Sequence, residues 1–178
     1  MVAVGETLAG ELTARGFVVV HDTTAFEPPN LSTAYTRSLT MLRSRLDAGE
    51  QYDYLLDVHR DAYSGAYNGG NSLQVEGKDT AYVMLLVGKG IGAMGAGFDE
   101  RPDWQKNLAL AQSITDEINA LAPGLCREVK IKNGRFNQHV SAGALLIEIG
   151  NNRNTFSEAI AACPTIAEAL ARVHETRN

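Results

Sequence analysis

Two residues of this chain carry reactive groups in surroundings that do not suit a plain structural role. Glu148 lies inside the aliphatic run Ala144-Leu145-Leu146-Ile147-Glu148-Ile149. A glutamate is almost never fully buried unless it is paired. Burial also raises a carboxyl pKa, as a general base or acid near neutral pH requires. The bland alternative is an ion pair with a Lys or Arg at the sheet end. The other residue is His59, which closes Tyr54-Leu55-Leu56-Asp57-Val58, an apolar run broken only by Asp57. A neutral imidazole at a strand end is held firmly enough to ligate a metal. Asp57, two residues back, shares its face in an extended strand and can support the imidazole from behind. Against this stands a structural His59, with Arg60 and Asp61 in a surface ion pair. The expectation is that both residues face one site, His59 as metal ligand and Glu148 as general base.

The elements that must position them follow a simple rhythm. Val4, Leu8 and Leu12 keep helical spacing, and Gly16 is a helix stop. Phe17–Val20 reads as a buried strand ending at His21-Asp22. Ser32 or Thr33 caps a helix running to about Ala48, with Leu39, Leu42 and Leu46 on its apolar side. The run ending in His59 then reads as a strand buried on both faces. A Gly/Asn-rich stretch, Gly65–Asp79, follows, with a short hairpin at Leu73–Val75. Tyr82–Val87 is the next strand, and Asp103 caps a long helix from Trp104 to Leu121. Arg127–Ile131 alternates like an edge strand, Asn133-Gly134 is a tight turn, and Phe136–Val140 is expected to pair back onto that edge. After the Glu148 strand, Thr155 and Glu158 form a capping box. Pro164 splits the last helical region. Helices alternating with strands through short links predict a three-layer α/β fold, a mostly parallel central sheet with helices on both faces. Ligands bind such sheets at the carboxyl edge.

Other candidates weigh less. Gly90-Ile91-Gly92-Ala93-Met94-Gly95 matches the dinucleotide fingerprint as a string. It lacks the helix that must start at those glycines, since Phe98–Pro102 is acidic and ends in a helix breaker. A substrate-facing loop with Lys89 as a contact fits better. His139 and His21 are placed to reach the sheet edge, though capping or surface roles are the ordinary reading, and His174 is expected in solvent.

A chain of 178 residues with 44% hydrophobic and 21% charged residues suits a single domain spanning 1–178. The net charge of −5 argues against a dedicated nucleic-acid binder. Cys126 and Cys163 have no metal-ligand spacing and read as packing thiols, with one disulfide open in an oxidising compartment. No run reaches membrane-span length, so no membrane contact is expected from this stretch itself. The sequence opens on a helix with no lead-in strand, which suggests an N-terminal truncation.

Several motifs in order along the chain resemble the stage II sporulation protein P family. They are His21-Asp22, Tyr35-Thr36-Arg37-Ser38, Leu55-Leu56-Asp57-Val58-His59-Arg60-Asp61, Gly77–Ala81 and Val87-Gly88, then Pro123–Arg127, Phe136-Asn137-Gln138, Leu146–Gly150, Asn154-Thr155 and Glu158-Ala159. The resemblance implies the phosphorylase/hydrolase-like fold of cell-wall amidases. It also implies a zinc-dependent N-acetylmuramoyl-L-alanine amidase of endospore engulfment that can cut peptide cross-links as well. It implies peptidoglycan as substrate, the lytic transglycosylase stage II sporulation protein D as partner, and membrane-associated action outside the cytoplasm, at the septum or forespore. By position, His59 matches a zinc ligand and Glu148 the catalytic glutamate, with Arg60, Asn137 and Gln138 expected to position substrate. The family's other ligands, a His and a Glu, come from a segment before the first helix that has no counterpart in this sequence. Two alternatives therefore stand beside the amidase: an inactive wall- or partner-binding module, and another α/β hydrolase or nucleotide binder using the glycine loop.

Overall fold

The computed structural model describes residues 1–62, 70–90 and 103–177. Its helices are α1 (Val2–Thr13), α2 (Ala34–Asp47), α3 (Trp104–Leu121), α4 (Phe156–Ala161) and α5 (Cys163–Arg177). Its strands are β1 (Leu55–Asp61), β2 (Ser72–Val75), β3 (Lys78–Ala81), β4 (Val83–Gly88), β5 (Cys126–Lys132) and β6 (Ala144–Asn151). The main sheet runs β1-β6-β4-β5, and β2 with β3 forms a separate hairpin. β1 and β6 are parallel, as are β4 and β5, while β4 and β6 are antiparallel. The mixed sheet with helices on both sides is the expected α/β architecture, with one antiparallel junction at its centre.

Strand alternation divides β6 between two environments. Leu145, Ile147 and Ile149 join Val83, Leu85 and Val87 in the apolar core, against Val4 and Leu8 of α1, Ile114 and Ile118 of α3, and Ile166 and Leu170 of α5. Leu146 and Glu148 therefore point to the opposite face. Helix α2 lies over that second face near β1, where its Tyr35 stacks on His59. Asn107 of α3 is 1% exposed and its amide donates to the carbonyls of Ser141 and Ala144, at 2.9 and 2.8 Å. That anchors the start of β6 and so fixes where Glu148 ends up along the sheet.

Three sequence expectations are corrected. β1 is not a strand buried on both faces: it lies at the sheet edge, and none of its residues is fully buried. Phe17–Val20 is extended but belongs to no ladder, and Val18 is 98% exposed. Phe17 and Val19 still pack against the core, which is why the segment reads as apolar. Phe136–Val140 is not a strand. Phe136 and Asn137 take left-handed backbone, with φ of 49° and 54°, and a 3-10 turn follows over Gln138–Val140. Smaller signals behave as expected. The Thr155/Glu158 capping box forms, Pro164 sits in the first turn of α5 where its missing N–H is harmless, and both cysteines are free and buried. The expected helix caps at Asp103 and at Thr33 do not form: Asp103 makes an ion pair with Lys106 at 2.8 Å instead, and neither side chain makes a cap bond.

Gly88 ends β4 where the Asn133–Phe136 turn presses against it. A Cβ there would sit 2.2 Å from the Gly134 carbonyl oxygen and 2.7 Å from the Phe136 ring. Because the nearest atom is backbone, Gly88→Ala is expected to destabilise the fold by at least about 1–3 kcal/mol. A urea titration of the variant checks this; an unchanged midpoint contradicts the packing described.

Candidate active site

In the parallel pairing of β1 with β6, His59 is the direct partner of Glu148. The two side chains therefore leave neighbouring strands on the same face at the same level, with strands about 4.8 Å apart. Glu148 is 8% exposed, and its Oε2 is fully covered without a hydrogen-bond partner. On its other side β4 offers Met84 as direct partner. Asp61, Tyr82, Arg127 and Gly150 complete a narrow cleft with Met84 and Glu148. Arg127 lies over the Tyr82 ring at 4.6 Å. At the C-terminal end of β1 the register slips between His59 and Asp61, so Asp61 comes opposite Asn151.

The imidazole is held from behind. His59 Nε2 lies 2.9 Å from Asp57 Oδ1. A carboxylate only accepts, so Nε2 carries the proton and Nδ1 keeps the lone pair in the neutral ring. Tyr35 lies parallel to the His59 ring, with centroids 6.5 Å apart, and its hydroxyl is 3.4 Å from Asp57 Oδ2. The bond to Asp57 is the main reason the His59 pKa is raised, with burial opposing it and the Asp57 and Glu148 charges adding to it. Burial holds the Glu148 carboxyl above its ordinary range; the His59 charge pulls it back, while Asp61 and Asp57 push it up.

A raised carboxyl in the folded state makes ionised Glu148 a destabilising group. The penalty is absent below the ordinary carboxylate range, grows as pH rises to the raised folded value, and is full above it. Glu148→Gln should therefore raise the melting temperature at neutral pH, and the gain should vanish near about pH 4. Melting curves across that range check it; a gain independent of pH contradicts the burial described.

The remaining sequence candidates are distributed differently. Asn137 is buried, and its amide donates to the Tyr35 carbonyl at 2.8 Å and to Ser38 Oγ at 3.0 Å. Gln138, 2% exposed, accepts from the Gly88 N–H and donates to the Leu86 carbonyl, both at 2.8 Å. Both amides are thus engaged inside the fold. Arg60 is exposed and, by alternation, leaves β1 on the face opposite His59. Lys89 lies over the Trp104 ring at 5.3 Å, turned toward α3. Of the glycine loop, residues 91–102 lie outside the described residues. His139 lines a hollow of about 220 Å³ with Arg43, Leu46 and Asp47 on the α2 side. His21 packs on Gly5 of α1. His174 is not simply solvated: its ring lies 5.4 Å from Phe17 and 6.0 Å from Tyr54. Sequence reasoning assigned no role to Tyr35, Arg127 or Tyr82. Only the Tyr35–Asp57 contact had a precursor, the paired Asp57 and His59 of β1.

Among the described residues, no group of three or more His, Cys, Asp or Glu is arranged to hold a metal ion. What they do fit is one ligand position, the Nδ1 of His59, backed by Asp57 and abreast of an unsatisfied carboxylate oxygen. Imidazole and carboxylate are both ligand types that zinc accepts, but among the described residues they fall short of the three protein ligands a catalytic zinc takes.

The fold superposes on the crystal structure of N-acetylmuramoyl-L-alanine amidase from Clostridium difficile 630 with a TM-score of 0.56 at 15% identity, over 98% of this chain and 80% of that one. A family model described as Stage II sporulation protein P matches residues 1–171, and the chain belongs to that family. It is 24% identical over 150 residues to stage II sporulation protein P from Bacillus subtilis (strain 168), covering 82% of this chain. The chain spans about a third of that relative's length, 34%. Among the described residues no helix is long and apolar enough to cross a membrane.

Proposed function

We propose that this chain is the catalytic domain, residues 1–178, of a zinc-dependent peptidoglycan hydrolase of endospore formation, cleaving the amide between N-acetylmuramic acid and L-alanine. The observation that carries this reading is the register of β1 and β6, which sets the buried Glu148 carboxylate directly beside the His59 imidazole. Family membership and the amidase-like fold support it. His59 would hold the metal through Nδ1. Bound zinc would supply Lewis-acid polarisation of the amide carbonyl and a lowered pKa for water.

The chain's own residues then have definite tasks. Glu148 Oε2 takes the proton of the attacking water as the C–O bond forms at the carbonyl carbon. It returns that proton to the nitrogen of L-alanine as the C–N bond breaks, so the products are a lactyl carboxylate and a free amine. Its raised pKa suits both halves of this exchange. Arg127 and Tyr82, which line the cleft beside Glu148, would meet the polar stem peptide, whereas Arg60 and Lys89 leave the sheet in other directions and take no part in this step. Cross-link cleavage needs the same water activation at a different amide. Joint action with stage II sporulation protein D, outside the cytoplasm at the septal or forespore membrane, belongs to the same reading.

Digestion of purified sacculi tests it. Mass spectrometry should find stem peptides with a free L-alanine amino terminus, and zinc removal should abolish them. Peptides freed only at cross-links would move the activity to an endopeptidase. One observation favours a binding module without turnover, namely the lack of a three-ligand cluster among the described residues. Sacculus binding with no cleavage and no bound zinc would support that module instead.

A further inference from the structure

Tyr35 joins three observations that the assignment of His59 and Glu148 does not use. Its ring lies parallel to the imidazole, with an interplanar angle of 1°. Its hydroxyl reaches the Asp57 oxygen that His59 does not occupy, Oδ2 at 3.4 Å. Its own backbone is gripped from a distant part of the chain: the Asn137 amide donates to the Tyr35 carbonyl and to Ser38 Oγ, and the Phe136 ring meets the Tyr35 ring edge-on at 5.7 Å.

That grip needs an unusual turn. Phe136 and Asn137 both have left-handed backbone, a conformation uncommon for non-glycine residues and bearable at Asn better than at Phe. Helix α2 has no fully buried residue of its own. Its seat on the sheet therefore depends on local contacts, among them the two Asn137 bonds. Without them Tyr35 could pivot away from the strand. The Asp57–His59 pair is also partly open, with side chains 43% and 41% exposed, so solvent competes for the carboxylate if nothing covers it.

We propose that Tyr35 is a positioning residue for His59: seated by the Phe136–Asn137 turn, it closes the free oxygen of Asp57 and lies parallel beside the imidazole, so that the ring keeps its proton on Nε2 and leaves Nδ1 free for the site. This rests on the hydrolase reading only for what Nδ1 is used for. Asn137 then acts through Tyr35 and does not touch substrate.

The ring tautomer itself can be read, with neither metal nor substrate, from the imidazole ¹⁵N shifts, followed upward in pH until they no longer change and the ring is neutral. The unaltered chain should show a single Nε2–H tautomer. Tyr35→Phe keeps the stack and removes the hydroxyl; it should give a tautomer mixture at unchanged melting temperature. Asn137→Ala should give the same mixture, and Asn137→Asp, which cannot donate to Tyr35, should not restore the single form. If Tyr35→Phe leaves one tautomer in place, the proposal is wrong, whatever Asn137 does to folding. Should the sacculus digest fail while the tautomer responds, the hydrolase reading falls and the positioning role stands.

Discussion

Peptidoglycan hydrolysis is expected to fall by about 10²–10⁴-fold when Glu148 is replaced by Gln, the range spanned by loss of a general acid–base group. The substitution changes almost nothing else. Glutamine fills the same space beside His59 and Met84, and removes a charge that burial already disfavours. It cannot accept the proton of an attacking water. The variant should therefore be folded, more stable than the parent at neutral pH, and unaltered in binding at His59 Nδ1. A stability gain paired with an activity loss is the signature of a strained catalytic group. In the parent, the acid limb of kcat/KM should lie above the ordinary glutamate range, because the carboxyl must ionise before it can act as base. Undiminished release of stem peptides by the Gln variant would remove Glu148 from the mechanism.

The second large effect is on stability and comes from Gln138. β4 pairs with β6 from Val83 to Leu86, antiparallel, and β6 begins at Ala144. Beyond Leu86 the edge facing β6 would be left open. The Gln138 amide fills the gap, accepting from Gly88 N–H and donating to the Leu86 carbonyl as a backbone peptide would. Removing it strands a buried donor and a buried acceptor, each worth about 1–3 kcal/mol. Gln138→Ala should thus destabilise by about 3 kcal/mol or more, with a cavity adding to the loss. Gln138→Glu should also destabilise, because a carboxylate can accept from Gly88 but cannot donate to Leu86. Urea unfolding measures both; a loss under about 1 kcal/mol would mean that water or a backbone shift replaces the amide.

What the sequence disclosed and what it hid divide along physical lines. Periodicity located α1, α3, β4 and β6 because each buries an apolar face against the common core, and α2 by helical spacing alone. It also flagged Glu148, since a carboxylate among aliphatic neighbours is anomalous at any register. It could not tell that β1 is an edge strand. Leu55, Leu56 and Val58 look the same in a central strand, and strand order depends on pairing partners far along the chain. It took Phe17–Val20 for a strand, because packing of alternate residues against the core produces the same pattern as a ladder does. The Phe136-Asn137-Gln138 stretch hid something different: of its polar amides, one closes the end of β4 and the other seats α2. Side-chain amides that replace missing backbone partners carry no signature in a single sequence, because their targets are peptide groups, which every residue has. Tyr35 was hidden for a related reason: its role exists only when α2, β1 and the 136–137 turn are brought together.

His59 and Glu148 are proposed to act as one unit, and a double substitution tests that most directly. Hydrolysis of sacculi is to be measured for the parent, His59→Ala, Glu148→Gln and the variant carrying both. Groups that act together give losses far from multiplicative. The prediction is that the double variant is no slower than the worse of the two single variants. Losses that multiply would show two independent contributions, and the shared site across β1 and β6 would have to be abandoned.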